Sequence, residues 1–225
     1  MQRFKNRTAA GQLLAQALTP YENEPHLVVL ALPRGGVPVA FEVAKTLRAA
    51  LDVFLVRKLG VPGQRELAMG AVSQGGRRVL NPEIVRTFGL SAAVIDRVTE
   101  EETVAIKRQE ALYRQGQGPL DLKNQTVIVV DDGVATGATM LTALHALRAR
   151  DPQLAIVAVP VSPPAVYEEL RRQSDHSVCL LTPEPFYNVG RWYEDFSQTR
   201  DEDVIRLLQE ARSWRQQWAA PTTPD

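Results

Sequence analysis

The stretch Val127-Ile128-Val129-Val130-Asp131-Asp132-Gly133-Val134-Ala135-Thr136-Gly137-Ala138-Thr139 decides how the rest of the chain is read. Four β-branched apolar residues run straight into two carboxylates. A loop of small residues follows, then an apolar helical pattern from Met140 to Leu147. A continuous apolar run of this kind reads as a strand buried on both faces, as in parallel sheets. In open α/β sheets, ligands bind beyond the carboxyl ends of strands, which is where Asp131 and Asp132 fall. The side chains of Ala135, Thr136, Gly137, Ala138 and Thr139 are small, so backbone N–H groups can approach an anion and form a nest around it. The helix that begins here adds its dipole and its unpaired N–H groups. A hydrogen bond to a charged group is worth roughly 1.5–3 kcal/mol net. Three or four such bonds hold a phosphate monoester without a lysine.

No Gly-x-x-x-x-Gly-Lys-Ser/Thr string and no Gly-x-Gly-x-x-Gly string occurs. The loop therefore suits one terminal phosphate better than a nucleoside triphosphate or a dinucleotide. Beside it, the paired aspartates suit two adjacent hydroxyls. A 5-phosphorylated ribose offers both groups. A second strand-to-helix turn, Leu30-Ala31-Leu32-Pro33-Arg34-Gly35-Gly36-Val37, repeats the logic. Its two glycines admit backbone close to an anion, and Arg34 carries a planar fork matched to phosphate oxygens. An ordinary βα turn with a surface arginine is the alternative. A third segment, Leu55-Val56-Arg57-Lys58-Leu59-Gly60-Val61-Pro62-Gly63, places two cations between an apolar run and a glycine- and proline-rich loop.

The string Val-Val-Asp-Asp-x-x-Ala-Thr-Gly-Ala-Thr at residues 129–139 resembles the phosphoribosyl-diphosphate motif of the type I phosphoribosyltransferases. That resemblance implies an α/β fold with a five-strand, mainly parallel sheet, flanking helices and a small C-terminal hood over the site. It implies phosphoribosyl diphosphate as a substrate, with Mg²⁺ bound mainly through it and a second small molecule as acceptor. Residues 135–139 would take the 5-phosphate. Asp131 and Asp132 would bind the ribose hydroxyls directly or through Mg²⁺. Arg34, Gly35 and Gly36 look like the family's diphosphate loop, which carries a non-proline cis peptide, here at Pro33–Arg34. Arg57 and Lys58 are similar to the Arg-Lys segment of adenine and orotate phosphoribosyltransferases, which contacts diphosphate and leads into a mobile lid. Arg57 is the candidate for stabilising the leaving group, and Arg65 and Glu66 would lie on the lid. The aromatic stretch from Pro185 to Phe196 loosely resembles a hypoxanthine-type hood. There Phe186, Trp192 and Tyr193 would face the acceptor, with Asp195 as a further Mg²⁺ ligand, unless the stretch is a plug packed on the core. Hypoxanthine-type enzymes carry an aspartate where Ala135 stands, so the resemblance argues against a 6-oxopurine acceptor.

The remaining sequence sets bounds. A length of 225 residues leads us to expect one domain over 1–225, with a helical insertion at 81–118 and a hood and C-terminal helix at 183–218. Net charge is zero, which gives no electrostatic footprint for nucleic acid. No apolar run is long enough to span a membrane, and the N-terminus lacks the apolar core of a signal peptide, so the cytoplasm is expected. Elsewhere the pattern predicts helices at 7–18, 37–51, 81–87, 91–114, 164–172 and 201–214. It predicts strands at 27–32, 53–57, 154–161 and 177–181, and leaves 60–76 loop-rich. Alternating βα units of this kind give a mainly parallel sheet with helices on both faces. A homodimer follows only from the family's habit. Two other readings use the same pocket: a regulator that senses phosphoribosyl diphosphate without turning it over, and a hydrolase-like phosphosugar enzyme.

Overall fold

The computed structural model describes residues 3–219, excepting the side chains of 65–66 and 215–219. The chain runs α1 (Arg7–Ala17), β1 (Leu27–Ala31), α2 (Gly36–Thr46), β2 (Ala50–Val53), β3 (Val56–Val61), β4 (Gln64–Ser73), β5 (Arg78–Leu80), α3 (Pro82–Thr87) and α4 (Ala92–Arg114). It continues with β6 (Thr126–Val130), α5 (Ala138–Arg148), β7 (Leu154–Val161), α6 (Pro164–Gln173), β8 (His176–Leu181) and α7 (Asp201–Ala219).

Five strands form a parallel sheet in the order β2-β1-β6-β7-β8. Every residue of β1 and β6 is buried, as expected of strands covered on both faces. Alternation divides them between two cores. Val29, Ala31, Ile128 and Val130 face α1, α2 and α7, whereas Val28, Leu30, Val127 and Val129 face α5 and α6. The strand order reverses between β1 and β6. In a doubly wound sheet, that reversal opens a crevice at the carboxyl ends. The sheet thereby sets the β1–α2 turn beside the β6–α5 turn, the two turns singled out by sequence.

Three expectations need correction. The run 53–57 is not one strand. The chain leaves the parallel sheet at Val53, crosses through buried Phe54 and Leu55, and starts β3 in a second sheet. The stretch 60–76 is not mainly loop, because β3, β4 and β5 pair antiparallel over most of it. Its glycines suggest coil, but Gly70 sits where a Cβ would stand 2.3 Å from the Val79 carbonyl oxygen. It marks a close approach of neighbouring strands rather than a break. The helix expected to reach residue 51 ends at Thr46, since Arg48 takes a left-handed φ of 51° and Ala50 begins β2.

The helical stretch after β5 follows its sequence signals. Asn81 caps α3, its Oδ1 accepting from Glu83 N at 3.0 Å and Ile84 N at 3.3 Å, with Pro82 at the first helical position. Ser91 caps α4, which packs on α7 and β3. At the end of α4 the Arg114 side chain, 2% exposed, reaches back to β2. Its Nη2 lies 3.0 Å from Asp52 Oδ2, 3.1 Å from the Val53 carbonyl and 2.9 Å from Gln74 Oε1. Gln74 Oε1 also accepts from Leu55 N at 3.1 Å. This buried network fixes the crossing between the two sheets, and so the strand that carries Arg57. Among the described residues, no helix is long and apolar enough to cross a membrane.

Candidate functional site

Two turns meet at the crevice. The Pro33–Arg34 peptide is cis. Gly35 follows, so close to the acidic tip that a Cβ there would stand 2.0 Å from Asp132 Oδ2. At Gly36 a Cβ would stand 2.8 Å from the Val130 carbonyl oxygen. Glycine is therefore required where the β1–α2 turn crosses the end of β6. The two motifs, about one hundred residues apart in sequence, form one surface.

The acidic tip is tightly held. Asp132 Oδ2 receives Arg7 Nε at 2.7 Å. The Asp132 carbonyl accepts from the Tyr193 hydroxyl at 2.5 Å, and Asp132 N donates to Asp131 Oδ1 at 2.8 Å. Burial, and then the Asp132 charge beside it, push the Asp131 carboxyl well above the usual carboxylate range. A pair that favours one proton binds two neighbouring hydroxyls by accepting from one and either accepting from or donating to the other.

Ala135, Thr136, Ala138 and Thr139 are exposed, and α5 opens behind them. Gly137 stands at the helix N-cap with φ +80°, a left-handed conformation suited to glycine. Thr136 Oγ1 accepts from Ala138 N at 3.5 Å. The loop presents the N-terminal dipole and backbone N–H groups of α5 to the crevice.

Next to this loop lies a cavity of about 510 Å³. It brings Pro33 together with Arg57 and Lys58 from β3, Gln109 from α4, and Ala138 and Thr139 from the 135–139 loop. Its charged lining is cationic, which suits a polyanion. Arg57 Nη2 donates to Gln109 Oε1 at 3.3 Å, and its Nη1 lies 3.9 Å from Glu102 Oε2. The helical stretch 81–118, which sequence could not assign to a role, therefore supplies groups that steer Arg57.

Some expected site residues lie elsewhere. The Arg34 guanidinium, half-exposed, lies 3.8 Å from Asp201 Oδ2 at the start of α7, and Asp201 Oδ1 accepts from the Tyr113 hydroxyl at 2.6 Å. Trp192 and Tyr193, expected to stack on an acceptor, are 6% and 3% exposed. They pack with Phe4, Ala10 and Val161, and Phe186 rests against the same cluster. This is an aromatic plug on the core, and Tyr193 contributes its hydroxyl rather than its ring face. Asp195, expected near a metal, accepts from Ser197 N at 2.9 Å in its own turn and lines a separate hollow beside α1 and α7. Arg65 and Glu66 lie outside the residues whose side chains are described.

Sequence reasoning missed Arg7, Tyr193 as a hydroxyl donor to the tip, Gln109 and Asp201. Arg7 falls on the first turn of an amphipathic helix, where an arginine reads as a solvated charge. Nothing local marks it as a partner for a carboxylate 125 positions away.

Comparisons with known proteins bear on the family and the fold. A family model described as the phosphoribosyl transferase domain matches residues 4–181. Two Mycobacterium tuberculosis proteins, from strains CDC 1551 and H37Rv and each provisionally named a phosphoribosyl transferase, are 44% identical over 211 residues. The match takes in 94% of this chain and 47% of theirs, so the chain spans about half the length of these curated relatives. The crystal structure of TT1426 from Thermus thermophilus is 42% identical, with a TM-score of 0.86, over 93% of this chain and 99% of that one.

Proposed function

This chain belongs to the phosphoribosyl transferase family, and we propose that it moves 5-phosphoribose from phosphoribosyl diphosphate to a nitrogenous acceptor in the cytoplasm, with release of diphosphate. The observation that carries this reading is the meeting of the two turns. Gly35 lies against Asp132, so groups suited to diphosphate, ribose hydroxyls and a 5-phosphate share one crevice.

In this proposal the N–H groups and hydroxyls of 135–139 hold the 5-phosphate. Asp131 and Asp132 bind the ribose hydroxyls, and their remaining negative charge favours the positive charge that develops on the ring as the diphosphate leaves. Arg34, Arg57 and Lys58 offset charge on the departing diphosphate. The barrier falls through positioning and charge stabilisation, with no covalent intermediate on the protein. Arg34 would exchange Asp201 for the diphosphate when the donor binds.

The donor set fits Mg²⁺ that arrives with its substrate. Among the described residues, no group of three or more His, Cys, Asp or Glu could hold a metal ion, and Asp132 is already paired with Arg7. Mg²⁺ is commonly held by one or two carboxylates together with substrate phosphates. Here Asp131 and Asp132 would meet it, directly or through water. When bound, the ion would neutralise charge on the diphosphate.

Ala135 removes the acid that would serve a 6-oxopurine, which leaves the acceptor among other nitrogenous compounds. The test is a mass-spectrometric screen. Protein, phosphoribosyl diphosphate and Mg²⁺ are incubated with a metabolite pool, and diphosphate and phosphoribosylated products are followed. We expect acceptor-dependent diphosphate release with a product carrying phosphoribose. Donor binding with no release from any acceptor would turn the reading toward a sensor. Release of diphosphate with ribose 5-phosphate as the sole product would turn it toward a hydrolase.

A further inference from the structure

Arg7 joins the acidic tip to the C-terminal hood through three contacts. Its Nε meets Asp132 Oδ2 at 2.7 Å, its Nη1 donates to the Ser197 carbonyl at 2.7 Å, and its guanidinium carbon lies 3.9 Å from the centre of the Phe196 ring. The side chains of Arg7 and Asp132 are 12% and 14% exposed, so the ion pair is poorly screened by water. Arg7 is itself well placed. Asn6 caps the helix that begins with it, its Oδ1 accepting from Ala9 N at 2.9 Å. The preceding strand-like segment is strapped to the hood, with Phe4 N donating to the Trp192 carbonyl at 2.8 Å and Glu194 N to the Phe4 carbonyl at 2.8 Å. Asp132 is thus gripped at both its carbonyl, by Tyr193, and its carboxylate, by Arg7. Each grip leads back to the hood.

We infer that Arg7 is a positioning residue: it aims the Asp132 carboxylate at the ribose hydroxyls and fastens the 193–197 hood segment over the tip. The inference rests on the proposed donor site, for which it names a further determinant. A carboxylate offers about four lone-pair sites. With one of them on Arg7, the carboxylate is held against swinging. Arg7 also lies at the edge of a solvent-open hollow of about 400 Å³, so small solutes reach its position.

The test uses the full chain and its Arg7→Gln and Arg7→Lys variants, each first checked for an unchanged circular-dichroism spectrum. Phosphoribosyl diphosphate with Mg²⁺, ribose 5-phosphate and inorganic phosphate are titrated into each, and amide exchange is measured across 193–197. We expect Arg7→Gln to bind both sugar ligands more weakly by about tenfold or more, as mispositioned binding groups do. Inorganic phosphate, which lacks the ribose hydroxyls that Asp132 would bind, should bind as in wild type. Arg7→Lys, or added guanidinium, should recover part of the loss, and the 193–197 amides of Arg7→Gln should exchange faster. Unchanged or tighter sugar binding by Arg7→Gln would overturn the inference, tighter binding because it would mean that Arg7 masks Asp132. An equal loss for inorganic phosphate would also overturn it, by showing a general structural defect. If wild type binds none of the three ligands, the donor site falls. The hood fastening is then judged on amide exchange alone, and unchanged exchange would refute it.

Discussion

The two halves of the β6–α5 turn are neighbours in sequence but are held in different ways. Residues 135–139 are held locally, by Gly137 at φ +80° and by the helix that starts behind them. Asp131 and Asp132 are held from a distance. Arg7 and Tyr193 lie 125 and 61 positions from Asp132, and Gly35 lies against it from another turn. A phosphate cradle needs only backbone in the right conformation, which a short motif encodes. A carboxylate pair packed side by side needs its charge and direction managed, and the fold brings cations and hydroxyls from elsewhere to do so.

The difference can be broken at either end. The largest effect lies where distant holding is most buried. Replacing Arg114 by Leu leaves Asp52 without its partner, and removing one member of a buried pair costs about 3–5 kcal/mol. Chemical denaturation should show that loss, and a change below about 1 kcal/mol would mean that the network is not a fastening. Next, Gly35→Ala drives a methyl group into Asp132. It should weaken phosphoribosyl diphosphate binding by about 100-fold while leaving inorganic phosphate binding nearly unchanged. Equal losses for both ligands would erase the distinction between the two halves. Gly137→Ala acts on the local half. Forcing alanine into a left-handed position costs about 1 kcal/mol or more and should weaken inorganic phosphate and phosphoribosyl diphosphate alike.

The smallest effect is a dependence on pH. Burial and the Asp132 charge raise Asp131 above its ordinary 3.8. The folded chain then keeps a proton that the unfolded chain has released. Stability contributed by this group therefore declines as pH climbs from about 3.8 through the raised folded value. Asp131→Asn removes that decline. Calorimetry should find the variant gaining on wild type as pH rises through this window, with the smallest difference in acid. A difference independent of pH would mean that Asp131 is not perturbed.

The same division explains what the sequence made legible. The strands β1 and β6, the turns after them and the helix starts near 81 and 91 are written in runs of adjacent residues, and each appears at its expected place. The crossing at Phe54–Leu55 was not legible, because an apolar run does not say which sheet it joins. Nor was the β3–β4 hairpin, whose glycines serve strand contact as well as turns. Trp192 and Tyr193 show the same limit in the site. Aromatic density signals burial and ligand stacking equally, and only the packing against Phe4 and Val161 separates them. Arg7, Gln109 and Asp201 carry no local mark, since each matters through a partner far along the chain.

The central claim is that Asp131 and Asp132, set against Gly35 and beside the 135–139 loop, form the ribose grip of a phosphoribosyl diphosphate site. Isothermal titration of phosphoribosyl diphosphate with Mg²⁺ into wild type and into the Asp131→Asn, Asp132→Asn double variant tests it most directly. We predict saturable one-site binding in wild type and its loss in a double variant that still folds and still binds inorganic phosphate. Equal affinity in the two proteins, or no binding to wild type, would contradict the account.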